Sequence, residues 1–243
     1  MASASALLMT ILVALTFASV PIKVVNGCGI NIVNSCPYAI TICAQSEQNP
    51  IIQYQLDSGA EQFLDLGSAC QWPAAAIWPS DHDQCAVANQ PNAPFDINLA
   101  NLAEFTIGDG TGLDYYDLSN VYAYTIGLSI NVTSPVVPPG ATIGRYLCGS
   151  VSCVISDIRA FCQGSNQLIT LPNGRLSCIN TDGSLPGPTQ NNALFKAACP
   201  DAFVPFDEAA PTFMCGTGSN YTVTFWPSGI TLATKKTHMD LFL

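Results

Sequence analysis

Two carboxylates, Glu104 and Asp117, lie on either side of the glycine-rich turn at 108–112. The alternation of Leu102–Ile107 predicts a strand with Glu104 on one face and only apolar residues on the other. The run Tyr115–Ser119 predicts a second strand, from which Asp117 projects on the polar side. If the strands pair, both carboxylates lie on one exposed surface, the minimum equipment for acid/base work on a glycosidic bond. The pattern alone also fits a sheet face kept soluble by charge, which is the simpler interpretation.

Short strand-like runs separated by turn residues continue through the first half of the chain. The first two runs are predicted to form a hairpin, and Ser80–Asn98 is predicted to be a loop. The spacing of the runs is typical of an all-β sandwich. The runs are Gly29–Asn34, Tyr38–Ala44, Ile51–Leu56, Glu61–Leu66, Pro73–Trp78 and Val121–Val132.

The second half has a different character. Cys148–Cys178 is dense in cysteine and has few strand signals. Thr189 is predicted to cap a short helix over Gln190–Ala198, because threonine at this position accepts a hydrogen bond from the first turn. Ser219–Trp226 alternates as a last strand. The sequence therefore predicts a mainly-β fold with a cysteine-rich, helix-containing lobe.

Acidic residues dominate the charge of the chain. The formal net charge is −10 at pH 7, and no Lys or Arg occurs between Val24 and Gly144. Such a surface repels phosphate backbones and anionic lipid head groups, so nucleic-acid binding and electrostatic membrane binding are excluded. Neutral polymers, cations and basic partners remain as possible ligands.

The start of the chain predicts export. Ala6–Val20 is an apolar run of signal-peptide length, so residues 1–27 are predicted to be removed by cleavage between Val20 and Cys28. The sequons at Asn131 and Asn220 fit a secretory route and are predicted glycosylation sites.

All eleven cysteines lie downstream of this segment. Their density in an exported chain predicts disulfides, and the odd number leaves at least one cysteine free, lost with the signal or paired between chains. With only two histidines, the chain offers little for zinc. We predict neither a metal nor another cofactor.

Several segments, taken in chain order, resemble one known family. They are INIVNSCPYAI at the start of the mature chain, LAEF followed by DYYDLS, Cys148-x4-Cys153, GPT at Gly187–Thr189, LFKAACPDAF, TFMC and SNYTVTFWP. Together they resemble the thaumatin-like proteins, the plant pathogenesis-related family 5, from about Gly29 to Pro227.

The resemblance implies a fold and a division of the chain. The thaumatin-like domain would span 28–227, with a flattened β-sandwich formed by 28–147 and 212–227. A disulfide-rich lobe with a short helix would occupy 148–211, with a cleft between the two parts. Residues 228–243 would form a C-terminal tail.

The resemblance also implies disulfides. It pairs Cys148 with Cys215, Cys153 with Cys199, and Cys162 with Cys178. The position that pairs with Cys36 in the family is Trp226 here. A Cys70–Cys85 bridge is a hypothesis, Cys28 has no counterpart, and Cys43 is predicted to be free and buried.

The resemblance places a site in the cleft. Glu104 and Asp117 match two of the acids that line it in the family, and Asp207 matches another. The family's arginine position falls at or near Ala76, and its third aspartate position is Tyr122. This chain therefore keeps three acids of the cleft and changes two other positions.

Roles for these residues follow from the same resemblance. Glu104 would be the general acid and Asp117 the base or nucleophile, with Asp207 in support. Carboxyl separations of about 5–5.5 Å and about 6.5–9.5 Å would indicate retention and inversion respectively. Tyr115 and Tyr122 are available to contact sugar rings.

The implied function is that of a defence-type protein, secreted to the apoplast or vacuole and monomeric. It would bind cell-wall β-1,3-glucan, with weak endo-glucanase or antifungal activity. An inhibitor directed at a foreign hydrolase is one alternative. A recruited scaffold that binds or converts a small apolar metabolite is another, motivated by Ala76 and Tyr122.

Overall fold

The computed structural model describes residues 27–87, 90–94, 97–205 and 212–228, which form strands, two α-helices and a 3-10 turn at Ile97–Leu99. Strands predominate, so the predicted mainly-β class is confirmed. The helices are α1 (Ile158–Phe161) and α2 (Gln190–Ala198). The strands are β1 (Gly29–Asn34), β2 (Ile40–Ser46), β3 (Asn49–Leu56), β4 (Glu61–Asp65), β5 (Trp72–Pro79), β6 (Ala86–Val87), β7 (Gln90–Pro94), β8 (Leu102–Ile107), β9 (Leu113–Ser119), β10 (Ala123–Tyr124), β11 (Gly127–Val136), β12 (Val151–Cys153), β13 (Gln167–Thr170), β14 (Leu176–Ile179) and β15 (Phe213–Trp226).

The long last strand, β15, divides the main sheet into two parts. On one side it pairs with β11; on the other, residues 213–216 pair with β9 and residues 221–225 pair in parallel with β1. From β9 the sheet continues through β8, β5, β2 and β3, whereas β1 continues to β4. Apolar residues of both parts, among them Ile32, Ile42 and Phe105, form one buried core. The packing is that of a β-sandwich.

The predicted hairpin between the first two strands is wrong. β1 pairs with β15 and β4, and β2 pairs with β3 and β5. The buried side chain of Asn34 redirects the chain: its amide donates to the carbonyls of Tyr38, Leu56 and Asp57 at 2.8, 3.0 and 3.0 Å. The alternation predicted both strands, but it carries no information about their partners.

Other boundaries also differ from the sequence prediction. The segment predicted as a loop contains the small β6–β7 sheet, and β11 runs on to Val136 through register shifts. β15 begins at Phe213, six residues before the predicted start at Ser219. Glycines at 216 and 218 hide the alternation at the start of this strand.

The second half contains the predicted helix and a separate small sheet. α2 spans Gln190–Ala198 as predicted, and the Thr189 hydroxyl accepts from the Asn192 amide at 3.1 Å. β14 and β13 pair with each other, and β14 also pairs with β10, which comes from the first half. No helix among the described residues is long and apolar enough to cross a membrane.

Five disulfides link the described chain. The pairs Cys148–Cys215, Cys153–Cys199 and Cys162–Cys178 are those that the resemblance implies. The Cys70–Cys85 hypothesis is wrong, because the bonds are Cys28–Cys70 and Cys43–Cys85. Cys43 is therefore not free, and Cys36 is the buried free cysteine.

Most of the two terminal segments falls outside the described residues. This applies to the predicted signal peptide apart from residue 27 and to the predicted tail apart from residue 228.

Candidate functional site

Three neighbouring strands bring the predicted site residues into one row. Ala76 on β5 lies opposite Glu104 on β8, and Glu104 lies opposite Asp117 on β9. The predicted alternation is the cause, since the intervening residues of β8 and β9 are buried in the core while Glu104 and Asp117 are turned to the other face and are half-buried. The two carboxyls are therefore direct cross-strand neighbours.

A cleft of about 510 Å³ lies over this row. Its described lining residues include Ala76, Glu104, Tyr115 and Asp117, and they all belong to the sandwich segments. Thr212 lies at its edge, next to residues 206–211, which are outside the described part of the chain.

A second cavity continues the cleft toward β2. It has a volume of about 300 Å³ and shares Ala74, Ala76 and Ile97 with the cleft. Its far end carries Gln45 and Glu47. We call the two cavities together the carboxyl groove. Its described lining contains the acids Glu47, Glu104 and Asp117 and no basic residue.

The two carboxyls influence each other's ionisation. Burial raises the pKa of Glu104, and the neighbouring Ser119 and Asp117 side chains reduce that rise. Burial and the neighbouring Glu104 carboxyl raise the pKa of Asp117 to about 8. The pair therefore retains one proton at neutral pH.

The arrangement suits a binding role. Glu104 and Asp117 are direct cross-strand neighbours, and their interaction perturbs the pKa of both groups. Asp117 Oδ1 is buried and has no hydrogen-bond partner in the described structure. A singly protonated pair can both donate to and accept from a ligand hydroxyl.

Tyr122, another predicted site residue, does not join the row. It follows β9, is 45% exposed and is not among the described residues that line the groove. Asp207 lies outside the described residues.

The predicted glycosylation positions lie on the neighbouring strands β11 and β15. Asn131 is on β11, opposite Thr222. Asn220 is on β15, and its side-chain oxygen accepts from the Gly29 amide at 2.8 Å. Whether either asparagine carries a glycan stays a prediction.

Sequence reasoning missed two parts of the site. Ser119 lies two residues after Asp117, so the two-residue period of a strand puts it on the same face and could have identified it. Gln45 and Glu47 could not be found in this way, because their place in the groove depends on the pairing of β2 with β5.

A backbone irregularity shapes the floor of the groove. Ala74 has a φ of +44°, at a register shift between β5 and β8. A non-glycine residue in this region is strained, and such strain is often found at binding sites.

Comparison with known proteins identifies relatives along most of the chain. The Thaumatin family model matches residues 34–227. A glucan endo-1,3-beta-glucosidase of Prunus avium is 28% identical over 80% of this chain and 88% of its own. Pathogenesis-related protein 5 of Arabidopsis thaliana is 30% identical over 80% of this chain and 88% of its own.

Among solved structures, a thaumatin-like xylanase inhibitor aligns over 82% of this chain and 99% of its own, with 11% identity. The TM-score is 0.42.

Proposed function

Because this chain belongs to the thaumatin family, we propose that its carboxyl groove binds cell-wall polysaccharide, with β-1,3-glucan as the first ligand to test. The observation that carries the proposal is the row Ala76–Glu104–Asp117, which lines a cleft of about 510 Å³. The name of the Prunus avium relative, a glucan endo-1,3-beta-glucosidase, is consistent with this ligand class.

The lining suits a sugar chain. Sugars present hydroxyls along their edges and apolar faces on their rings, and sites that bind them combine a few polar groups with apolar surface. The carboxyl pair supplies a donor and acceptors in the middle of the groove. Tyr115 and the alanines at 74–76 supply apolar surface beside it.

Hydrolysis is proposed as a weak, secondary activity. Glu104 would act as general acid and Asp117 as base or nucleophile, with Asp207 in support, and the first two are direct cross-strand neighbours. Hydrolysis requires a carboxyl separation of about 5–5.5 Å for retention or about 6.5–9.5 Å for inversion. Binding sets no such requirement.

Titration calorimetry with laminari-oligosaccharides tests the proposal. We expect the wild-type protein to bind, and Glu104→Gln to bind about tenfold more weakly because it removes the charge and the shared proton. Glu61→Gln is the matched control, since Glu61 lies on β4 in the other part of the sandwich and bonds to Asn31. The absence of any glucan binding by the wild type would refute the proposal. If Glu104→Gln bound glucan with full affinity, the carboxyl pair would have no part in binding.

Secretion to the apoplast or vacuole is part of the proposal. Five disulfides fit an oxidising compartment, where such bonds persist. Glycosylation, a monomeric state, the inhibitor role and the small-metabolite scaffold stay predictions.

A further inference from the structure

The carboxyl groove lacks a counter-charge. Its described lining contains Glu47, Glu104 and Asp117 without any basic residue. Two described basic residues are engaged elsewhere: Arg145 pairs with Asp201 at 2.6 Å, and the Arg175 guanidinium donates to the Ala39 carbonyl at 3.0 Å. A half-buried carboxylate without a cation is unfavourable, so the groove is complementary to a ligand that brings one.

Space for such a cation lies beside the pair. Ala76 is directly opposite Glu104, and its methyl group borders both cavities of the groove. No larger side chain of β5 fills this position, since the neighbouring floor residues Ala74 and Ala75 are also small. A group with the size and charge of an ammonium can therefore approach Glu104 from the β5 side.

We propose that the ligand selected by this groove carries a protonated amine, and that it is a β-linked amino-sugar polymer with free amines, such as a deacetylated chitin oligosaccharide. The proposal rests on the polysaccharide-binding function proposed above and specifies its ligand class. An ammonium seated between Ala76 and the carboxyl pair donates to both carboxyls, and the proton that the pair held is released to the solvent. The groove crosses four strands, from Gln45 to Asp117, which suits a linear polymer.

The other groups around the pair do not supply the charge. β5 contributes alanines and, further along the groove, Trp78. β9 contributes Tyr115 and Ser119 beside Asp117, and Glu47 follows β2 at the far end. The described lining of the groove supplies no cation, so the ligand must bring it. Its binding should weaken with added salt, because screening acts on the attraction between the amine and the groove.

The test compares two oligosaccharides of the same length and linkage, one deacetylated and one fully N-acetylated, by titration calorimetry on the whole protein in mildly acidic buffer. We expect the deacetylated form to bind at least about tenfold more tightly, because only it brings a positive charge to the carboxyl pair. Equal affinities would overturn the proposal.

Substitutions at Ala76 test the role of the missing counter-charge. Ala76→Arg places a guanidinium opposite Glu104 and should abolish the preference for the deacetylated form. Ala76→Ser changes the volume little, adds no charge and should retain the preference. Loss of the preference in Ala76→Ser to the same extent as in Ala76→Arg would contradict the proposal.

Two further ligands distinguish the possible failures. Laminari-oligosaccharide binding without amino-sugar binding refutes this inference and leaves the proposed function standing. If neither sugar binds, both the proposed polysaccharide binding and the amino-sugar inference are refuted. A lysine oligopeptide that binds more tightly than the deacetylated sugar would indicate a site for a basic protein partner and would overturn the amino-sugar assignment.

Discussion

At the scale of single residues, the contact between Glu104 and Asp117 governs the chemistry of the groove. Two carboxyls in direct cross-strand register cannot both ionise without cost, since burial and mutual repulsion act in the same direction. Sharing one proton avoids that cost. A family pattern alone would not reveal this state, because it depends on the register and burial of the two strands.

The shared proton makes stability depend on pH. The folded-state pKa of Asp117 rises from the ordinary value of 3.8 to about 8, so the folded protein binds more protons than the unfolded chain between these values. The free energy of unfolding should therefore be highest below this range and fall as pH rises through it. Guanidinium denaturation across the range should show a decline of a few kcal/mol, at about 1.4 kcal/mol for each unit of pKa difference.

Asp117→Asn provides the comparison. Asparagine keeps the shape and cannot ionise, so this variant should lose most of the decline. Glu61→Gln, remote from the pair, should retain the wild-type profile. A wild-type profile in Asp117→Asn would mean that the pair does not share a proton.

At the scale of elements, the sequence predicted where the strands lie but not which strands pair with each other. Alternation identified β8 and β9 with the correct faces, and the Thr189 cap identified α2. Alternation failed for the β1–β2 hairpin, because the pairing is set by the buried Asn34 and by β15, whose paired residues are 191 positions further along the chain. The groove between β2 and β5 was missed for the same reason.

The backbone strain at the β5 bulge should be measurable as a change in stability when the strained residue is replaced by glycine. Ala74 has a φ of +44°, where glycine is unstrained, so Ala74→Gly should stabilise the protein by about 1 kcal/mol. Ala75→Gly is the control. Ala75 is buried and has no positive φ, so Ala75→Gly should destabilise the protein.

Urea denaturation of both variants measures the difference. Opposite signs at two adjacent positions would establish strain as the cause. Destabilisation by Ala74→Gly would show that the bulge is not strained. Ligand binding measured in the same variant would then show whether the strained backbone contributes to the shape of the groove.

At the scale of the whole molecule, the β13–β14 hairpin is held against the sandwich by polar contacts at its tip. Asn173 donates from its side chain to the Ser80 carbonyl at 2.7 Å and from its backbone to the Asp81 carbonyl at 3.0 Å. Arg175 lies over the Tyr38 ring at 5.5 Å and reaches the Ala39 carbonyl. The Cys162–Cys178 bond fixes the hairpin to the end of α1. The family resemblance implied the disulfide, whereas the Asn173 and Arg175 contacts were not visible in the sequence, because they join segments about 90 to 140 residues apart.

Arg175 should therefore determine how often the hairpin opens. Its planar guanidinium stacks on Tyr38 while it donates to Ala39, and lysine cannot reproduce both contacts. We expect Arg175→Lys to accelerate hydrogen exchange of the β13–β14 amides about tenfold, and to leave β8 and β9 unchanged, because the hairpin can open locally. Arg159→Lys, on α1, is the matched control and should change neither region. Unchanged exchange in β13–β14 would show that the contact adds nothing to docking. Faster exchange in every strand would show that the hairpin and the sandwich unfold as one unit.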